Sequence, residues 1–276
     1  MDSKPTGAKV VLITGASSGM GRETALLLAS KGYLVYAAAR RVEKMQDLTG
    51  FGIHTVKLDV TDEANCLALV SHIVQQHGHI DVLVNNAGYG SYGAVEDVPL
   101  SEARYQFEVN VFGLAGLTRA VLPHMRAQRS GLIVNVSSIG GKIAEPHGAW
   151  YHATKFAVEG FSDCLRMEVA QFGVKVVVIE PGAIITEWNG IARELLAATS
   201  GKSAYSVLAN KHIRMLERAD KFGGKPDVVA RAIFRAIRAR KPATRYPAGG
   251  GAGMILFLRK LLPDKSFDWV MLRMMQ

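Results

Sequence analysis

Tyr151 and Lys155 stand four residues apart in the stretch AWYHATKFAVEGF, whose apolar spacing predicts a helix. That spacing puts both side chains on one helical face, about one turn apart. A phenol beside an ammonium is a proton-transfer pair, because phenol titrates near ~10 when unperturbed and a neighbouring positive charge favours its ionised form. Upstream, the β-branched run Leu132-Ile133-Val134-Asn135-Val136 predicts a buried strand that stops at Ser137-Ser138-Ile139-Gly140-Gly141. A serine hydroxyl at that strand end is placed to hold a carbonyl or alcohol oxygen next to the phenol. In a chain with 8 Tyr, roughly 0.4 Tyr-x-x-x-Lys matches arise by chance, so the pair alone reads better as an exposed helix pair than as a catalytic one. The rest of the chain decides.

The elements that must position the pair begin at Lys9 to Thr14 (KVVLIT), a continuous apolar run of the kind found in strands covered on both faces. It enters Gly15-x-x-x-Gly19-x-Gly21 and then a helical pattern from Arg22 to Ser30. Glycines between strand and helix permit the tight turn and close backbone approach that a pyrophosphate needs, and the helix N-terminus offers N–H groups and its positive dipole end. The spacing is not the commonest dinucleotide fingerprint, and a glycine trio by itself is also a plain tight turn. A second strand, Tyr33 to Ala39, ends at Arg40-Arg41. An acid there would take the ribose 2′-hydroxyl of NAD, whereas a basic residue accommodates the 2′-phosphate of NADP. Arginine in that place favours NADP(H) over NAD(H).

Further strands are expected at His54 to Leu58, Asp81 to Val84, Val174 to Ile179 and, as a short edge, Thr244 to Tyr246. Helices are expected from about Asp62 to His77 with Thr61 as N-cap, from Ser101 to Arg129, through Tyr151 to Phe172, and from Asp227 to Arg240. Alternating two-sided apolar strands and helices predict a single α/β domain: a Rossmann-like doubly wound parallel sheet of about seven strands with helices on both faces. Residues 183–225 read as a substrate-covering insertion. Residues 247–276 form an apolar, basic extension with three roles open to it: packing on the domain, on a partner subunit, or peripherally at a membrane surface.

A net charge of +9 raises nucleic acid as a partner, but the basic residues are scattered or complement helix C-termini, and no aromatic-studded basic motif accompanies them. No nucleic-acid role is expected. Cys66 and Cys164 are too far apart for a metal or disulfide spacing, and no metal is expected. MDSKPTGAK lacks the apolar core of a secretory signal, and no run of about twenty apolar residues occurs, so a cytoplasmic location is expected.

Thr14-Gly15-x-x-x-Gly19-x-Gly21, Asn85-Asn86-Ala87-Gly88, Asn110, Ser138, Tyr151-x-x-x-Lys155 and Pro181-Gly182 fall in the order and spacing of short-chain dehydrogenases/reductases. The resemblance covers roughly residues 8 to 190, and YHATKFAVEGFSDCLRMEVAQFGVKVVVIEPGAIIT looks most like the hydroxysteroid- and retinol-dehydrogenase-like branch. It implies Tyr151 as general acid/base, Lys155 lowering its pKa and bonding the nicotinamide ribose, Ser138 orienting the substrate oxygen in preference to Ser137, and Asn110 supporting a proton relay. It implies a cofactor held by Gly15, Ser17, Ser18, Gly19, Met20, Gly21, Arg40, Asp59, Val60, Asn86, Ala87, Gly88, Tyr151, Lys155, Pro181, Gly182, Ile184 and Thr186. Asp59 would meet the adenine and Thr186 the carboxamide. The expected activity is NADP-dependent interconversion of a lipophilic ketone or aldehyde and its alcohol, in a homodimer or homotetramer. Two alternatives stand beside it: an NAD-dependent oxidative alcohol or hydroxysteroid dehydrogenase, and a non-catalytic nucleotide sensor on the same fold.

Overall fold

The structure, a computed structural model, describes residues 7–275. Seven parallel strands form one sheet: β1 (Val10–Thr14), β2 (Leu34–Ala39), β3 (His54–Lys57), β4 (Val82–Asn85), β5 (Gly131–Val136), β6 (Val174–Pro181) and β7 (Arg245–Ala248), in the order β3-β2-β1-β4-β5-β6-β7. Parallel pairing needs helical crossovers, so both faces are covered and successive residues of one strand enter different cores. In β1, Val11 and Ile13 pack on the face carrying Leu28 and Ile233, while Val10 and Leu12 pack on the face carrying Leu69, Leu117 and Leu165. The first face is covered by α1 (Gly19–Ser30) and α8 (Asp227–Arg238). The second is covered by α2 (Glu63–His77), α4 (Leu114–Ala127) and α5 (Ala149–Val169).

Strand order reverses between β1 and β4, and a crevice opens there at the strands' carboxyl ends. The helix expected over Ser101 to Arg129 is one path in three pieces: α3 (Leu100–Phe107), a π turn over Glu108–Gly113, and α4. The π turn carries Asn110. At its end, a Cβ on Gly113 would lie 2.8 Å from Val60, so only glycine lets it sit so close to the loop after β3. Two local expectations are corrected. Helix α1 begins at Gly19, not Arg22, and α2 is capped by Asp62, whose Oδ1 accepts from Asn65 N at 3.0 Å. Thr61 is not the cap, because its amide and hydroxyl both donate to Asp59 Oδ1.

The insertion forms α6 (Glu187–Ser200) and α7 (Ser206–Phe222), which lie over the crevice and pack Ala192, Leu196 and Ala209 against Tyr92 and Tyr151. The C-terminal extension forms α9 (Ala252–Leu261) and α10 (Asp264–Met274), with Phe267 and Met271 buried against Ile143. Packing on the domain is therefore one of its roles. Its outer faces expose Met254, Phe257, Leu261 and Trp269. Among the described residues, no helix is long and apolar enough to cross a membrane.

Candidate active site

The turn after β1 is fixed by the loop after β4. Thr14 Oγ1 accepts from the backbone N–H of Asn86 and of Ala87, both at 3.0 Å, and Asn86 Nδ2 donates to Thr14 O at 2.9 Å and Gly15 O at 3.2 Å. Gly15, at φ 65°, stands where a Cβ would be 2.8 Å from Ala87 Cα. A Cβ on Gly21 would meet Gly15 O and Asn86 Nδ2 at 2.5 Å. The glycines thus hold the first turn of α1 tight against the strand. Ser18, the N-cap, spends no side-chain bond on that turn. Its N–H groups therefore have no intrahelical acceptor, and Ser18, Gly19 and Met20 line a cavity of about 530 Å³. Such a donor set fits the pyrophosphate of a dinucleotide. Thr186 closes the opposite wall, its Cγ2 3.1 Å from where Gly19 would carry a Cβ.

Arg40, Arg41, Asp59 and Val60 line the outer end of the same cavity. The two arginines do different things. Arg40 Nη1 donates to Tyr105 Oη at 2.8 Å. Arg41 Nη2 turns over the glycine loop, donating to Ser18 Oγ at 3.3 Å, Ser17 Oγ at 3.4 Å and Glu187 Oε2 at 3.0 Å. Lys44 also reaches Glu187, at 3.4 Å. The sequence puts both arginines at this strand end, with Arg40 expected against the cofactor. Both arginines follow β2, and only the folded loop distinguishes them.

At the inner end, Ser138 caps the turn Ile139–Gly141, its Oγ accepting from Gly140 N at 3.0 Å. Ser138 and Tyr151 line the cavity together. The Tyr151 ring is framed by Trp188 at 5.2 Å, His152 at 5.6 Å and Tyr92 at 5.7 Å between centroids. Burial pushes the phenol up to about 12, against a hydrogen bond with Ser138 that lowers it. Lys155 Nζ donates to Val136 O at 3.0 Å and lies 5.9 Å from the Tyr151 ring centroid. Its own burial pushes it down to about 8, with Glu159 pulling the other way. Asn110 accepts from Tyr89 N at 3.0 Å and donates to Tyr89 O at 2.8 Å and Thr154 Oγ1 at 3.1 Å, so the π turn grips the loop beyond Gly88. Ser137 points elsewhere: its buried Oγ has no hydrogen-bond partner and faces Gly141, whose Cβ would lie 2.8 Å away. Pro181 ends β6, and Gly182 N donates to Ala248 O at 3.0 Å. Ile184 is buried beside Gly224.

Beyond Tyr151 the cavity wall is largely apolar, from Trp188 and Ile191 of α6, Met215 and Leu216 of α7, and Ile255, Met271 and Met274 of the C-terminal helices. Glu145 and His152 bring polar groups to that wall. Sequence spacing gave no signal for either. The apolar residues of 183–218 were visible as a group, but not which of them face inward.

Known proteins match this arrangement. The short chain dehydrogenase family profile covers residues 9–195. A 3-ketodihydrosphingosine reductase from Bacteroides thetaiotaomicron is 34% identical over 269 residues, spanning 97% of this chain and 95% of that protein. A short-chain dehydrogenase from Streptomyces avermitilis superposes with a TM-score of 0.81 at 37% identity, covering 92% of each chain. A Burkholderia phymatum short-chain dehydrogenase/reductase in complex with NAD gives 0.79 at 27% identity over 94% of each chain. A serine dehydrogenase complexed with NADP+ gives 0.76 at 26% identity over 87% of this chain and 94% of its own. With its parallel seven-stranded sheet, its glycine turn and a cavity that fits a nicotinamide dinucleotide, the chain belongs to the short-chain dehydrogenase/reductase family of oxidoreductases.

Proposed function

We propose that the protein is an NADP-dependent oxidoreductase interconverting a lipophilic ketone or aldehyde and its alcohol, with Tyr151 as the general acid/base. The observation carrying this reading is a single cavity that runs from Arg41 over the glycine turn to Ser138 and Tyr151, then ends in apolar side chains. At its outer end a guanidinium beside two serine hydroxyls suits a 2′-phosphate, which a ribose hydroxyl would not need. One relative is named for reducing a ketone, 3-ketodihydrosphingosine. Small apolar carbonyl compounds are the proposed partners, with self-association into a homodimer or homotetramer.

A nicotinamide dinucleotide held along the glycine turn by Ser18, Gly19 and Met20 would supply the hydride chemistry for interconverting carbonyl and alcohol. The protein's part is proton transfer and placement. Ser138 Oγ holds the substrate oxygen, and Tyr151 Oη donates a proton to it in reduction or takes one in oxidation. With burial holding the phenol near 12, Tyr151 carries its proton at neutral pH, as a general acid must. Lys155, anchored on Val136 O, brings positive charge to the side of the phenol, favouring the phenolate left when the proton departs. Tyr92 and Trp188 pack against the Tyr151 ring and help bury it.

Each CH₂ buried in the apolar end contributes roughly 0.8 kcal/mol. A homologous ketone series, followed by nicotinamide absorbance with NADPH and with NADH, should show kcat/KM climbing with chain length until the cavity is filled, and higher with NADPH. A flat series, or best activity on a sugar, contradicts the substrate class.

A further inference from the structure

Helices α9 and α10 carry more apolar surface than the domain covers. Their inner side is packed: Phe267 and Met271 of α10 are buried against Ile143, with Ile255 and Leu262 beside them. Their outer side is apolar too. On α9, Met254, Phe257 and Leu261 follow at steps of three and four, which align along one face of a helix, and they are 66%, 61% and 61% exposed. On α10, Trp269 and Leu272 are 62% and 45% exposed. A surface groove of about 400 Å³ is lined by Leu262, Lys265, Ser266, Trp269 and Val270. Single exposed apolar residues need no account, but these concentrate on two helices joined only by Leu262 and Pro263.

The substrate cavity opens beside this face. Met271 lines it from the buried side of α10, and Met274, one turn on, both lines it and is 48% exposed. Ile191 of α6 likewise lines the cavity and is 43% exposed. The rim is therefore apolar and continuous with α10. Charge then selects what covers the face. Residues 252–275 carry Arg259, Lys260, Lys265 and Arg273 against Asp264 and Asp268. Arg259 holds Asp264 at 2.7 Å, whereas Lys260 and Lys265 are exposed and form no ion pair among the described residues. A second copy of this chain docked through the same face would bring two net positive surfaces together. An anionic lipid surface meets both features, its acyl region taking the aromatic and aliphatic side chains and its headgroups the ammonium groups.

We infer that the outer side of α9 and α10 docks on an anionic lipid bilayer, with the cavity mouth turned toward the membrane. Among the described residues no helix is long and apolar enough to cross it, so the contact is peripheral. Phe257 and Trp269 enter at the boundary of headgroups and acyl chains, where an indole has both an apolar and a polar neighbour. Lys260 and Lys265 meet headgroup phosphates and carboxylates. The apolar rim at Met274 and Ile191 then lets an amphipathic ketone pass from the bilayer into the cavity without exposing its chain to water. The docking stands whatever the chemistry; only the delivery of a lipid ketone rests on the oxidoreductase reading above.

The test mixes the full chain with vesicles of phosphatidylcholine alone, or with phosphatidylserine added, and reads binding by co-sedimentation. The parent should bind the phosphatidylserine vesicles more tightly by about 10-fold or more, since each cation near such a surface contributes about 5-fold, and the gain should fade as salt rises. Phe257→Ser with Trp269→Ser should weaken binding to these vesicles by about 10- to 100-fold. Lys260→Glu with Lys265→Glu should remove the preference for phosphatidylserine, and this pair decides should the first not fold. A parent that binds neither vesicle, or binding unchanged in both variants, overturns the docking. If the parent stays off vesicles and Phe257→Ser with Trp269→Ser instead splits an oligomer in light scattering, the face joins copies of this chain and the inference falls. In a kinetic arm, the same variant should lose rate on a ketone held in vesicles and keep it on a short soluble ketone, because neither residue lines the cavity. A parent that binds vesicles as expected but reduces no ketone with either cofactor would uphold the docking and overturn the oxidoreductase reading.

Discussion

Replacing Arg41 by alanine should weaken NADPH binding and leave NADH binding almost untouched, and replacing its partner Glu187 should act in the opposite sense. Arg41 is the guanidinium that spans Ser17 and Ser18, with Glu187 on one nitrogen at 3.0 Å. Hydrogen bonds between charged groups contribute about 1.5–3 kcal/mol when desolvated. The Arg41 side chain is 43% exposed, so the lower end applies, and Arg41→Ala should raise the Kd for NADPH by roughly 10-fold. Glu187 competes with a 2′-phosphate for the same guanidinium and repels it. That exposed pair contributes only ~0.2–1 kcal/mol, so Glu187→Gln should tighten NADPH by about 2- to 5-fold, with less effect at high salt. Fluorescence titrations of both variants with both cofactors, at two ionic strengths, separate these terms. Equal losses for NADPH and NADH in Arg41→Ala, or weaker NADPH binding in Glu187→Gln, would refute the assignment of Arg41 to the phosphate.

Two further outcomes concern titration. With burial holding Lys155 down to about 8, kcat/KM for the cofactor, which reports free-enzyme groups, should be level at lower pH and decline as the pH rises through about 8, when the ammonium is lost. A profile level to pH 10 would contradict that role. Glu180 is 3% exposed and burial pushes it up to about 7, with Glu159 adding to the rise and Arg245 opposing it. A raised folded-state value contributes stability that is present below the unfolded pKa and lost as the pH rises through about 7. Glu180→Gln should therefore stabilise the fold at pH 8 by on the order of 3 kcal/mol at most, and little at pH 4.5. Urea unfolding at both pH values measures it, and an equal effect at the two would show that Glu180 is not titrating.

The sheet was legible because parallel strands covered on both faces read as near-continuous apolar runs, as residues 10–13, 132–134 and 176–179 do. The glycine turn was legible because close backbone approach admits no other residue at Gly15 and Gly21. Tyr151 and Lys155 were legible once joined to that context. Helix caps were less so: Asp59, Thr61 and Asp62 all offer oxygens in four residues, and the turn that spends Thr61 on Asp59 leaves Asp62 as the cap. Which of Arg40 and Arg41 turns over the glycine loop was not legible, because side-chain direction after a strand end depends on the following loop. The Glu145 cluster was invisible for a different reason. Its members, Tyr92, Glu145, His152 and His212, come from four segments, and no local spacing brings them together. The docking of Phe267 and Met271 on Ile143 joins residues more than a hundred positions apart in the same way.

The central claim is that the buried phenol of Tyr151 moves the proton while the rest of the cavity holds cofactor and substrate. Tyr151→Phe keeps the ring against Trp188 and Tyr92 and removes only the hydroxyl. Single-turnover reduction of a ketone the parent accepts, measured beside cofactor titration of the same variant, tests it directly. The rate should fall by about 10²–10⁴-fold with NADPH affinity changed by no more than a few-fold; a Phe variant that reduces the ketone at near-parent rate would contradict the account.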